Sequence, residues 1–72
     1  MKYEVIYYNR RGDGFVASEV SHIYNEVPDD LARQYMKLQE DMGLTRGETS
    51  KQIFYSKRIN YHESMEVIFW KE

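Results

Sequence analysis

Apolar residues recur along this chain with two different periods. Three short phrases, Glu4-Val5-Ile6-Tyr7-Tyr8, Gln52-Ile53-Phe54-Tyr55 and Glu66-Val67-Ile68-Phe69-Trp70, set bulky apolar side chains at consecutive positions. These are β-branched and aromatic residue types that fit the pleated surface of a sheet. Successive strand residues point to opposite faces, so each phrase puts large groups on both sides of the sheet. Leu31, Tyr35, Leu38 and Met42 instead fall at i, i+4, i+7 and i+11, one stripe of an amphipathic helix that Ala32 widens.

The punctuation between these runs sets the elements. A first strand is predicted over residues 2–8. It is followed by a turn at Asn9-Arg10-Arg11-Gly12-Asp13-Gly14, whose Gly and Asp residues accept the positive φ values of hairpin loops. Phe15 to Val20 reads as a second strand, although Val20, Ile23, Tyr24 and Val27 also sit at helical spacing, so a short helix within residues 17–27 is the alternative. Pro28-Asp29-Asp30 starts a helix, because Pro suits the first turn and the carboxylates meet the positive end of the macrodipole. That helix is predicted to run over about residues 29–42 and to stop at Gly43. Asp29 and Arg33 are spaced for a favourable i,i+4 pair. Residues 44–50 are polar and read as a loop. Residues 51–61 and 64–71 form a closing hairpin turned at Tyr61-His62-Glu63-Ser64.

The expected architecture is a single small α+β domain over residues 1–72. It has a four-stranded antiparallel sheet in the order ββαββ and one amphipathic helix packed on one face. At 72 residues such a domain buries a modest share of its surface. The chain has no Cys and two His, His22 and His62, so neither disulfides nor a thiolate metal site staple it; no metal or cofactor is expected. No run is apolar for long enough to span a bilayer, and Met1-Lys2-Tyr3-Glu4 lacks the pattern of a signal peptide, which leads to the expectation of a cytoplasmic protein with no membrane partner. A net charge of −2 sets the overall field against nucleic acid.

No catalytic constellation is visible. Asp13, Asp29, Asp30, Glu40 and Asp41 fall on a turn and on the wet face of the helix, and no nucleophile neighbours either His. Gly12-Asp13-Gly14 lacks the further Gly and the Lys of a phosphate loop. The chain is therefore read as no enzyme.

Two constellations of binding residues remain. One helix covers one face of a sheet, and Val5, Tyr7, Val67 and Phe69 are its natural counterpart. Ile6, Tyr8, Ile68 and Trp70 are left for the opposite face, where they form an apolar patch containing the residue types of interface hot spots. The second constellation sets rings beside cations: Tyr8, Arg10, Arg11, Tyr55, Lys57 and Arg58 could stack unpaired bases and neutralise phosphates, although Glu4 and Glu66 on the same strands oppose this.

Residues 1–20, with Met1-Lys2-Tyr3, a strand, the Gly-Asp-Gly turn and Phe15-Val16-Ala17, resemble the opening hairpin of HicB-type antitoxins. The Gly-Cys segment and Ala/Glu-rich helix typical of that family are missing here, and no function is carried over. The short, Tyr-rich, acidic chain is also similar in general character to phage and mobile-element accessory proteins, which inhibit or adapt a larger host protein. The expectation is a small intracellular protein-binding domain using Ile6, Tyr8, Ile68 and Trp70. Single-stranded nucleic-acid binding, or a homodimer that buries its own second face, stands as the alternative.

Overall fold

A computed structural model describes residues 1–71. Its elements in chain order are β1 (Lys2–Arg10), β2 (Val16–Tyr24), α1 (Asp29–Asp41), β3 (Thr45–Glu48), β4 (Gln52–Arg58) and β5 (Glu63–Trp70). The five strands form one antiparallel sheet in the spatial order β2-β1-β5-β4-β3. The outer strands of the sequence, β1 and β5, are thus neighbours inside the sheet, with Val5 opposite Val67. Helix α1 carries the chain from one edge of the sheet to the other. The class is the expected α+β domain, but the order is ββαβββ.

The additional strand is β3, in a stretch expected to be loop. In Thr45-Arg46-Gly47-Glu48 only Thr45 is of a type that favours sheet, and tertiary contacts hold the stretch extended. Gly47 faces Phe54 across the β3–β4 ladder, and the absent Cβ leaves room for the Phe54 ring to lie over it. Arg46 reaches Glu48 at 2.7 Å, and Glu48 reaches Lys71 at 2.6 Å. On the other side of the molecule, residues 16–24 are strand throughout, which settles the ambiguous segment against a helix.

Helix α1 begins after Pro28, with Asp29 and Asp30 in its first turn. Asp29 lies 3.6 Å from the amino group of Met1; the anticipated ion pair with Arg33 is not formed among the described residues. The helix closes on Gly43, whose φ of 84° is left-handed. Gly43 N–H donates to the Glu40 carbonyl and Leu44 N–H to the Gln39 carbonyl, the paired bonds of a Schellman ending, and Leu44 then turns inward into the core.

The core lies between α1 and one sheet face. Ala32, Leu44, Tyr55, Val67 and Phe69 form its buried centre, ringed by Tyr3, Val5, Tyr35, Met36, Ile53 and Met65. Every sheet residue in this set has odd parity on β1, β4 and β5, so the alternation read from sequence selects the helix-facing side correctly. The helix itself sits differently from expectation. Its inner line is Ala32, Tyr35 and Met36, whereas Leu38 and Met42 are 48% and 49% exposed. Fully buried Ala32 explains the rotation, because only a side chain of that size lets the helix backbone approach the sheet closely. Tyr3 ties the layers together, stacking on Tyr24 and Phe69 and tilting against Tyr35 with centroids 4.7, 5.3 and 5.5 Å away.

Candidate functional site

The ladder registers assign the side of the sheet opposite α1 without ambiguity. Lys2 pairs with Trp70, which pairs with Gln52; Glu4 pairs with Ile23 and with Ile68, which pairs with Phe54; Ile6 pairs with Ser21 and Glu66, which pairs with Ser56; Tyr8 pairs with Glu19 and Ser64, which pairs with Arg58. All of these share one face, and no other element of the described residues packs on it. Ile6, Tyr8, Ile68 and Trp70 are therefore brought together, as the parity of the two strands implied.

Their exposure is unequal. Ile6 and Ile68 are only 8% and 9% accessible, each shielded by the side chains that surround it on the same face. They form the floor of the face, and contact with another molecule falls to the partly exposed rings of Tyr8 and Trp70. Each ring has a cation beside it: the Lys2 ammonium lies 5.0 Å from the Trp70 ring and the Arg10 guanidinium 5.8 Å from that of Tyr8. The indole Nε1 of Trp70 is enclosed and has no hydrogen-bond partner among the described residues. Burial holds the Tyr8 phenol above its ordinary pKa, with Glu66, Glu19 and Glu4 adding to the effect and Arg10 opposing it. It stays a neutral hydrogen-bonding group at ordinary pH. Phe54 is a member of this face that sequence reasoning passed over. Its parity with Ile68 becomes visible only when the β4–β5 register is known.

Beside Tyr8 the face dips into an open groove of about 530 Å³. Tyr8, Arg10, Ser56, Arg58, Ser64 and Glu66 are among its lining residues. The two hairpin ends meet at its rim, where the Tyr61 hydroxyl donates to the Gly12 carbonyl at 3.0 Å and Arg10 N–H to the His62 carbonyl at 2.6 Å. Arg10 donates to Ser64 Oγ and the Gly14 carbonyl, and Arg58 to the carbonyls of Asn60 and Tyr61. Neither guanidinium forms an ion pair among the described residues.

The set considered for nucleic acid is only partly assembled. Tyr8, Arg10 and Arg58 share the groove. Lys57 also borders it, but its ammonium donates to the Met42 carbonyl at 3.5 Å, at the end of the helix. Arg11 stays in the β1–β2 turn, paired with Asp13 at 2.9 Å. Tyr55 is 1% exposed in the core, edge-on to Phe69, with its hydroxyl donating to Glu40. It cannot offer a face to a base. The reason is parity, since Tyr55 faces the helix and Arg58 does not.

His22 lies on exposed β2 and His62 in the β4–β5 turn, far apart in the sheet. Among the described residues no three His, Asp or Glu side chains cluster as metal ligands would. No helix is long and apolar enough to cross a membrane. No protein-family model, curated protein or solved structure matches the chain. The likeness of residues 1–20 to an antitoxin hairpin therefore stands on that hairpin alone.

Proposed function

We propose that this is a non-enzymatic binding domain that docks the helix-free face of its sheet on another protein, and that it acts by inhibiting or adapting that larger protein. The observation that carries this reading is the one-sided architecture. A five-stranded sheet has its helix on one face, and the other face sets Trp70, Phe54 and Tyr8 around the Ile6–Ile68 floor. Aromatic rings with a polar surround are the anchors of protein interfaces. Glu4, Glu66, Arg10 and Arg58 supply that surround and a charge pattern by which a partner is selected.

Tyr8 is the cleaner probe of the two anchors, because Trp70 has its indole N–H enclosed and contributes to the monomer as well. Tyr8→Ala is expected to weaken binding to a purified partner by about 2 kcal/mol or more, roughly thirtyfold in Kd. Thermal unfolding of the free protein should shift little. Equal affinities for wild type and Tyr8→Ala would refute the proposed face.

The groove favours one second reading, a site for single-stranded nucleic acid built on Tyr8, Arg10 and Arg58. Glu66 within it and the separation of Arg11, Lys57 and Tyr55 weigh against that role. Binding to an oligonucleotide at physiological salt, with a steep salt dependence flattened by Arg10→Ala and Arg58→Ala, would reverse the order of the two readings.

A further inference from the structure

The two edges of the sheet are built differently. Strand β3 is guarded: it is four residues long, and its Arg46 and Glu48 are engaged with each other and with Glu40 and Lys71. Short edges carrying charge resist pairing with another chain. Strand β2 is protected only at its start, by a bulge at Ala17. It runs for nine residues, all of them exposed, without Lys, Arg or Pro, and with Glu19 as its one carboxylate. The ladder irregularity opposite Asn9 and Arg10 puts one extra residue, Ala17, on β2 itself, a bulge that leaves Ser18 to Tyr24 in regular register. The exposed apolar side chains also concentrate here. Val16, Val20, Ile23 and Tyr24 lie on β2, each between 45% and 58% exposed, and Tyr7, 46% exposed, faces Val20 from β1.

We propose that β2 is a self-association edge that pairs antiparallel with β2 of a second copy about a two-fold axis at Val20. Within the regular part of the strand this register pairs every residue from Ser18 to His22 with one of the second copy. Val20 meets Val20 on the axis, Glu19 meets Ser21, and Ser18 meets His22, while Ile23 and Tyr24 reach the bulged start of the other strand. No like charges stand directly opposite each other, and the exposed Val20 faces its own copy. Cross-strand pairs of this kind are the unit of sheet stabilisation. On the helix side, Tyr7 and Val20 of one copy continue into Val20 and Tyr7 of the other, one apolar row across the seam. A five-residue ladder also supplies about four to six backbone hydrogen bonds. A second copy fits better than an unrelated peptide because it alone arrives with this matching sequence. Residues opposite each other in a ladder share a face, so both helices lie on one side of a continuous ten-stranded sheet, twice the five strands of a single copy. The inference is independent of the docking role of the helix-free face, which dimerisation leaves open.

Sedimentation velocity across a range of protein concentrations tests it, with circular dichroism to follow folding. Wild type is expected to form a concentration-dependent dimer. Val20→Lys and Val20→Glu each place like charges opposite one another, Cβ atoms about 4.5–5.5 Å apart, and should each raise the dimer Kd roughly fivefold or more. Mixing the two variants places Lys opposite Glu and should restore a heterodimer. An independent arm uses the absence of native cysteine: oxidised Val20→Cys should cross-link as a dimer, and Leu38→Cys, half-exposed on the helix, should not. A wild type that stays monomeric throughout, a Val20→Lys dimer as tight as wild type, mixed variants that fail to pair, or equal cross-linking of the two cysteine variants would each overturn the proposal.

Discussion

Gly47→Ala tests how the unexpected edge strand is held and how the binding face is shaped. Gly47 is directly opposite Phe54, and a Cβ built on it would overlap Cζ and Cε2 of the phenyl ring and crowd Cε1. Its backbone is not in the left-handed region, so alanine meets no conformational strain there. In a strand, alanine is favoured over glycine by roughly 0.5–1 kcal/mol through the entropy of the unfolded chain. Opposing that gain, the ring must leave its seat over the glycine. Full burial of a Phe side chain contributes about 1.5–3 kcal/mol, and Phe54 is partly buried, so displacement should cost about 1–2 kcal/mol. The net expectation is a loss of roughly 0.5–1 kcal/mol, a fall in Tm of several degrees for a domain of this size. In a Phe54→Ala background nothing opposes the new methyl group, and the same substitution should instead stabilise by about 0.5 kcal/mol. Thermal or urea unfolding of the four proteins at one fixed concentration gives the coupling, expected at about 1–2 kcal/mol. Additivity within about 0.3–0.5 kcal/mol would show that Phe54 does not rest on Gly47 and would refute the account of β3.

Two further outcomes follow from the packing and from the ionisable groups. Ala32→Leu should cost about 1–3 kcal/mol or more by forcing α1 off the sheet, whereas Leu38→Ala, on a half-exposed residue, should cost under about 1 kcal/mol; unfolding curves with the two effects reversed would contradict the helix orientation. Burial raises the phenol pKa values of Tyr3 and Tyr55 above 10.0, with nearby Tyr35 adding at Tyr3, while at Tyr55 the Arg46 hydrogen bond opposes the rise and Glu40 supports it. Because the unfolded phenols ionise first, their contribution is complete below pH 10 and is lost as pH rises through the raised folded values. Alkaline unfolding followed by circular dichroism should therefore shift to higher pH in Tyr3→Phe; an unchanged midpoint would count against this coupling.

What the sequence by itself determined about this protein is local. Period-two runs and consecutive apolar residues mark β1, β4 and β5, the 3.6-residue stripe with Pro28 and Gly43 brackets α1, and parity along β1 and β5 places Ile6, Tyr8, Ile68 and Trp70 on one face. These follow from dihedral preferences and side-chain direction, which a few neighbouring residues decide. Tertiary structure decided the rest. It made Thr45–Glu48 a strand although only Thr45 there favours sheet, because β4 offers it a ladder and Phe54 a cover for Gly47. It rolled the helix onto Ala32, because the distance between helix and sheet is a property of both layers. It sealed Ile6 and Ile68 beneath their neighbours, separated Tyr55 from Arg58, and left β2 as a bare edge by placing β1 and β5 side by side. Each of these outcomes depends on contacts between residues distant in the chain, whose register no local pattern encodes.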